Sequence, residues 1–154
     1  MNKEKIQEII GQIFKLSSCT LSKCDIQEDS GMLWCSIDTP DSRFMIGRDG
    51  ETLRSLNHLV QKILEKDLGE EENRNFMIDI NGYQKKRFES LKNIAHMMAE
   101  RAKYFKSNIE IEPMPAFERR IIHLFLEGDK EIKTESEGEG ANRRVVIKYI
   151  NNNI

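Results

Sequence analysis

The chain has 154 residues, of which 38% are hydrophobic and 32% are charged, and its formal net charge is -2. This composition is typical of a globular protein with one domain or two small ones, and the slight excess of acids excludes a global basic field that would attract polyanions. Three cysteines favour a reducing, cytoplasmic setting over a disulfide framework, and no apolar run is long enough to predict insertion into a membrane.

The first half of the sequence alternates between helical and strand periodicity. A first helix is predicted from the spacing of Ile6, Ile9, Ile10, Ile13 and Leu16. Two strands follow at about 21–27 and 32–38, with a turn at 29–31 between them. A helical turn at 42–46 leads to a pair of glycines. The next helix is expected to bury Leu53, Leu56, Leu59, Val60, Ile63 and Leu64. It ends at Gly69, and an acidic loop at 70–72 precedes a strand at 76–80.

The glycine pair stands directly before that second long helix, in the segment Ile46-Gly47-Arg48-Asp49-Gly50. Glycines permit a tight turn and leave no Cβ in the way of a ligand, and the amides of a helix N-terminus attract phosphate. We therefore expect a sugar-phosphate backbone to lie against this segment. The alternative is a plain helix-capping turn with no ligand.

The charges at the glycine pair act in opposite directions. Arg48 is the expected phosphate partner, and Arg54, one turn into the helix, is either a second partner or a solvated residue. Asp49 brings a negative charge to the same place, which weakens the expected contact by about 1 kcal/mol at an exposed site.

The second half predicts two helices and a small sheet. Asn81-Gly82 opens it, and a helix at 83–105 is expected to bury Phe88, Leu91, Ala95, Met98, Ala99 and Ala102. A short strand at 109–111 and a helix from Pro115 to Glu127 follow. Two strands, at about 131–135 and 143–150, flank a turn with two glycines. The last four residues are expected to fray.

The helix after Pro115 carries Arg119 and His123 at four-residue spacing. In projection an apolar arc holds Phe117, Ile121, Ile122, Leu124, Phe125 and Leu126, and the remaining arc holds Arg119, Arg120, His123 and Glu127. His123 is therefore expected to face solvent, where it and Arg119 reach one phosphate or one base edge. The alternative is a surface pair that stabilises the domain. Arg143 and Arg144 are candidates for extending this basic surface.

Other chemistry has little support in the sequence. Cys19, Cys24 and Cys35 lack zinc-ligand spacing, so no metal is predicted. No phosphate-binding loop, dinucleotide fingerprint, metalloprotease helix or nucleophile elbow occurs, so no cofactor, catalytic residue or enzymatic activity is expected. Trp34 is expected to pack, and the run at 85–87 is expected to be a solvated helix end.

The order helix, strand, strand, helix, glycine pair, helix, strand resembles a type II KH domain. The segment from Pro113 to His123, the acidic turn at 134–140 and the strand Arg143-Arg144-Val145-Val146-Ile147 resemble the R-three-H domain, named for its Arg-x-x-x-His spacing. Together, over about residues 6–150, they resemble the bacterial Jag (SpoIIIJ-associated) family. The implied fold class is α+β. A type II KH domain (α-β-β-α-GxxG-α-β) is expected at 1–81 and a small R-three-H domain, with two helices on a three-stranded sheet, at 82–154.

The resemblance implies a non-catalytic, cytoplasmic protein that binds single-stranded RNA through both domains, with single-stranded DNA left open and about four nucleotides at the KH turn. It also implies an RNA chaperone or post-transcriptional regulator linked to cell elongation, envelope synthesis or sporulation, and a partner that is a small KH-domain protein or a second copy. A protein-interaction scaffold with weak or lost RNA binding is the alternative. Many Jag proteins begin with a further small domain and a linker, for which this sequence has no counterpart, so functions of that piece are not expected.

Overall fold

The computed structural model describes residues 3–29, 32–68 and 76–150, and the chain divides into two compact units, Met1–Lys85 and Lys86–Ile154. This division falls four residues after the predicted boundary between residues 81 and 82. Each unit combines helices with a three-stranded sheet, so the chain is an α+β protein, as predicted. Within the described ranges, no helix is both long and apolar enough to cross a lipid bilayer.

The first unit contains three helices and one sheet in the predicted order. Its elements are α1 (Lys3–Leu16), β1 (Lys23–Asp29), β2 (Met32–Asp38), α2 (Ser42–Ile46), α3 (Glu51–Leu68) and β3 (Phe76–Ile80). The sheet order is β1-β2-β3, with β1 antiparallel and β3 parallel to β2. Strand β1 begins two residues later than predicted. The turn predicted at 29–31, apart from its first residue, and the helix end and acidic loop predicted at 69–72 lie outside the described residues.

The core of the first unit lies between its sheet and the apolar sides of α1 and α3. Its fully buried members include Ile6, Ile10, Phe14, Cys35, Ile37, Leu53, Val60, Leu64, Phe76, Ile78 and Ile80. The sequence pattern places Leu16 and Leu59 in these apolar stripes, but both are exposed. Each lies about 120° from the centre of its helix's buried stripe at 100° per residue, so neither can reach the sheet.

The second unit places two helices on a three-stranded antiparallel sheet, as predicted. Its elements are α4 (Tyr83–Phe105), which begins at the end of the first unit, β4 (Ile109–Glu110), α5 (Ala116–Leu126), β5 (Ile132–Glu137) and β6 (Arg144–Tyr149). The sheet order is β4-β6-β5. The core joins the inner sides of both helices to β6, with Leu91, Ala95, Ala99, Ala102, Ile121, Ile122, Val145 and Ile147 among its members.

Helix α5 is rotated relative to the prediction. Leu124 and Phe125 are exposed, and Glu118 is buried in their place. The carboxylate of Glu118 is satisfied there because Arg87 on α4 donates to it twice, Nε to Oε1 and Nη2 to Oε2, both at 2.8 Å. A bidentate pair of this kind compensates the loss of hydration, so the charged residue and not Leu124 faces α4.

The basic run at 85–87 is correspondingly less solvated than predicted. Besides the pair made by Arg87, the ammonium of Lys85 donates to Ser36 Oγ at 2.9 Å. The same ammonium lies 5.7 Å from the ring centroid of Trp34. Trp34 is buried, which confirms the prediction that this ring packs.

Candidate nucleic-acid interface

The segment that leads to the glycine pair is fixed by side-chain hydrogen bonds at one end of the first sheet. Asn81 holds the backbone of Thr39, accepting its N–H at 2.9 Å and donating to its carbonyl at 2.8 Å. The hydroxyl of Thr39 donates to the carbonyl of Thr20 at 2.6 Å, and Asp41 accepts the N–H of Thr20 at 2.7 Å. Because Asp41 immediately precedes α2, these contacts determine where α2 and the glycine pair lie.

The four residues 47–50, which we call the glycine turn, form a sharp bend between α2 and α3. Gly47, Asp49 and Gly50 all have positive φ, of 73°, 50° and 75°. A Cβ at position 47 would lie 2.1 Å from Thr52 Oγ1, so the chain itself requires glycine there.

The two glycines differ in accessibility. Gly47 is half-buried, whereas Gly50 is buried, and a Cβ on Gly50 would meet the ring of Tyr83 at 3.2 Å. The expectation that both glycines leave an open path is therefore corrected for Gly50, which lies under an aromatic ring contributed by a residue 33 positions later. The open side of the glycine turn is the side of Gly47.

The tip of the glycine turn is exposed and carries Arg48 and Asp49. Arg54 donates from Nη1 to the carbonyl of Asp49 at 2.7 Å. It therefore braces the turn, a role that neither alternative for this residue had included.

Two apolar residues of α2, close to the glycine turn, differ in exposure. Ile46 is half-buried and packs against the core of the first unit. Phe44 is 67% exposed, beside the exposed Arg43. Sequence reasoning did not single out Phe44. The available signal was that this five-residue helix buries only Met45, which leaves its other large apolar residue without a place in the core.

The second candidate surface is built around His123 on α5. This side chain is half-buried, which corrects the expectation that it faces solvent. Its Nδ1 lies 2.7 Å from Thr134 Oγ1 and its Nε2 lies 3.0 Å from Ser136 Oγ. The two hydroxyls stand on one face of β5 because they are two residues apart. Burial, and next the positive charge of Arg119, lower the pKa of His123 below 6.5, so the ring is neutral at pH 7.

Arg119 braces the loop before its own helix. Its Nη1 donates to the carbonyl of Met114 at 2.7 Å, and its Nε is buried without a partner in the described part of the chain. Arg119 and His123 thus both make contacts within the second unit. A ligand would meet the remaining N–H groups of the guanidinium and the edge of the imidazole ring.

A shallow groove of about 350 Å³ opens beside His123. Its lining includes Arg120, His123, Leu124, Glu127, Lys133 and Thr134. Arg120 is exposed, whereas Lys133 pairs with Glu135 at 3.2 Å. The groove combines cationic, apolar and hydroxyl groups, which suits a small polar ring with an attached anion.

The cations of β6 are largely neutralised by acids. Arg144 donates from Nε to Glu110 at 2.6 Å, and Lys148 pairs with Glu135 and Glu137. The guanidinium of Arg144 lowers the pKa of Glu110, so the pair stays charged at neutral pH. Arg143, just before the strand, is exposed. Of the two arginines considered for extending the basic surface, Arg143 presents the more available charge.

No metal site is formed by the residues that the structure describes, since they contain no group of three or more His, Cys, Asp or Glu side chains suitably placed. The three cysteines are free thiols. The sulfur atoms of Cys24 and Cys35 lie 3.6 Å apart on neighbouring strands.

Comparison with known proteins supplies the family. Residues 89–149 match the R-three-H domain family of the sequence analysis. The RNA-binding protein KhpB of Bacillus subtilis is 36% identical over 130 residues, which are 83% of this chain and 62% of that protein. The RNA-binding protein KhpB of Clostridium symbiosum is 30% identical over 146 residues, which are 94% of this chain and 65% of that protein. The chain thus spans just under two thirds of the length of these relatives. Together, the matched domain and the relatives show that the chain belongs to the Jag family.

Proposed function

We propose that this chain is a non-catalytic RNA-binding protein that holds a single strand through one surface on each unit. The printed names of its relatives and the R-three-H match support RNA as the ligand. We further propose that the first unit is a type II KH domain. Its element order, and a sheet that combines one antiparallel and one parallel strand pair, support that assignment.

The observation that carries the proposal is the exposed tip of the glycine turn. A phosphate approaching from the side of Gly47 would meet no side chain at that residue, the guanidinium of Arg48, and the N-terminal amides of α3. Gly50 would shape the bend without touching the ligand. Phe44 offers an exposed ring on which a base can stack. A turn of this kind accommodates about four nucleotides.

The second surface would use Arg119, Arg120, His123 and Arg143 around the groove on α5. Because the pKa of His123 is lowered, this residue would contribute a flat ring and a hydrogen bond instead of a positive charge. Arg144 is a weaker contributor, since Glu110 already occupies its guanidinium. Two weak surfaces on one chain raise the overall affinity for a strand that engages both.

The family relationship supports a broader role. We propose that the protein acts in the cytoplasm as an RNA chaperone or post-transcriptional regulator linked to cell elongation, envelope synthesis or sporulation. Its partner would be a small KH-domain protein or a second copy of this chain. Single-stranded DNA is a further ligand that the same contacts would accept, because phosphate contacts and base stacking do not require a 2′-hydroxyl.

One observation favours a second candidate, a protein-interaction scaffold with weak or lost RNA binding. The cations of β6 are paired with glutamates, and Asp49 places a negative charge at the tip of the glycine turn. A surface whose charges cancel in this way attracts polyanions poorly.

Fluorescence anisotropy with a short single-stranded RNA across a salt series tests the proposal. Arg48→Gln should weaken binding and reduce the slope of log affinity against log salt by about 0.7, the value for one phosphate contact on a single strand. Lys15→Gln makes the same charge change on the exposed side of α1 and should leave the slope unchanged. Absence of binding by the folded, unaltered chain at low salt would reject the proposal and leave the scaffold. Gly50 is unsuitable for this test because its substitution would disturb the packing of Tyr83.

A further inference from the structure

The C-terminal end of α4 presents two aromatic rings to solvent, and neither proposed surface uses them. Tyr104 is 82% exposed and Phe105 is 61% exposed. Their ring centroids lie 5.1 Å apart in an edge-to-face arrangement. Large aromatic rings usually contribute to a core, and the core of the second unit includes neither of these two. The pair therefore needs an explanation other than folding of its own unit.

Two cations accompany the rings. Arg101 lies three residues before Tyr104 and four before Phe105, so helical spacing places it beside both rings. Lys106 follows Phe105 directly. All four side chains are exposed, and we call Arg101, Tyr104, Phe105 and Lys106 the α4 end cluster. Exposed rings interleaved with cations are typical of surfaces that stack the bases of a single strand and hold its phosphates.

The charges of the α4 end cluster are not cancelled as they are on β6. Arg101 and Lys106 form no ion pair within the described part of the chain. The nearest acid in the helix, Glu100, pairs with Lys103 at 2.6 Å, and Asp129 pairs with the same ammonium at 3.1 Å. Both acids are thus engaged by a cation outside the cluster.

The outward side of α4 continues from the cluster without an acid. At 100° per residue, an arc of about 80° holds six exposed residues from position 86 onward. They are Lys86, Ser90, Asn93, Met97, Arg101 and Tyr104. A strand that leaves the α4 end cluster along this arc would therefore meet polar and cationic groups and no carboxylate.

We infer that the α4 end cluster is a third contact surface for single-stranded RNA, with a base stacked on Tyr104 and phosphates beside Arg101 and Lys106. The inference rests on the proposed function, since it presumes that the chain binds RNA. From Arg101 to Lys106 the chain rises about 8 Å, which corresponds to about two nucleotides at stacked spacing. So small a surface adds affinity mainly to a strand that is already held elsewhere on the chain.

The test compares RNAs of about five and about twenty nucleotides by fluorescence anisotropy on the full chain. The short RNA fills the glycine turn, whereas the long RNA can occupy more than one surface. Tyr104→Ala should weaken binding of the long RNA by about fivefold or more, the loss of one base stack, and of the short RNA by less than twofold. Tyr104→Phe keeps the ring and should bind both RNAs as the unaltered chain does. Leu16→Ala removes a comparably exposed apolar side chain from α1 and should also have no effect.

The cations are tested through the salt dependence. The double variant Arg101→Gln/Lys106→Gln should reduce the salt slope for the long RNA by about 1.4, the value for two phosphate contacts on a single strand. Lys3→Gln/Lys15→Gln makes the same change in net charge at exposed positions of α1 and should leave the slope unchanged. Equal reductions for the two double variants would show that only net charge matters and would overturn the inference.

Each remaining contrary outcome has a distinct meaning. If both RNAs bind and the cluster variants leave affinity and salt slope for the long RNA unchanged, the inference is overturned while the proposed function stands. If neither RNA binds the unaltered chain, both are overturned. If Tyr104→Ala abolishes self-association in sedimentation velocity while RNA affinity is unchanged, the α4 end cluster contacts protein, and the assignment to RNA is wrong.

Discussion

The charge of Asp49 offers a direct test of the proposed contact at the glycine turn. Asn is nearly isosteric with Asp and equally tolerates the left-handed conformation that this residue adopts, with φ of 50°. Arg54 braces the turn through the carbonyl of Asp49 and not through its carboxylate, so Asp49→Asn should leave the bend intact. The substitution therefore removes one negative charge and little else.

The expected effect follows from Coulomb's law at an exposed site. A carboxylate about 5 Å from a phosphate in water repels it by about 0.8 kcal/mol. Removing the charge should tighten binding of a short RNA about fourfold at low salt. Near 1 M salt the screening length falls to about 3 Å, and the gain should almost disappear.

A matched control separates this local effect from the change in net charge. Glu28 is exposed, and its partner Leu33 stands five residues before Asp38, where β2 ends and the chain turns towards α2. Five strand residues span about 17 Å, a distance at which the same repulsion in water is about 0.2 kcal/mol. Anisotropy titrations should show less than a twofold gain for Glu28→Gln. Equal gains for both variants, or none for Asp49→Asn, would refute a phosphate at the glycine turn.

Three further predictions concern the supports of the two surfaces. Asn81→Ala should lower the free energy of unfolding in urea by about 3–4 kcal/mol, because it unpairs the buried backbone of Thr39 and places Ala at positive φ. Asn81→Gly should cost only about 2 kcal/mol, and equal losses would contradict the role of φ. Glu118→Gln should cost about 1–2 kcal/mol in thermal unfolding, and much less when Arg87 is already Met; an undiminished cost would show that the pair is not responsible. Because the pKa of His123 is lowered by folding, the unfolded chain takes up the proton first, so the free energy of unfolding should fall as the pH drops below about 6.5. His123→Asn should flatten this part of the profile, and an NMR titration of His123 at or above pH 6.5 would contradict the argument.

Local sequence signals were sufficient for most of the element order. Helices α2 and α4 begin and end at the predicted residues, because Pro40-Asp41 and Asn81-Gly82 interrupt the chain just before them. The alternation in Phe76–Ile80 likewise identified β3. These signals lie within a few residues of the elements they define, so periodicity and turn chemistry alone reveal them.

The surroundings of the candidate site residues depended on partners far away in the sequence. Glu118 is buried because Arg87, 31 positions earlier, pairs with it. His123 meets hydroxyls on β5, and Gly50 lies under Tyr83. A helical projection counts an acid as solvent-facing and cannot include a compensating cation from another helix. The rotation of α5 and the cover over Gly50 were therefore beyond the reach of the pattern.

The close approach of Thr52 to Gly47 changes how similar glycine pairs should be read. Because the hydroxyl of residue 52 fills the space where a methyl group at 47 would stand, a chain that had given up its ligand would still need glycine there to fold. The first glycine is thus a record of architecture, and the two residues between the glycines are where a gain or loss of ligand would leave its trace. An engineer wishing to alter position 47 would have to shrink residue 52 at the same time.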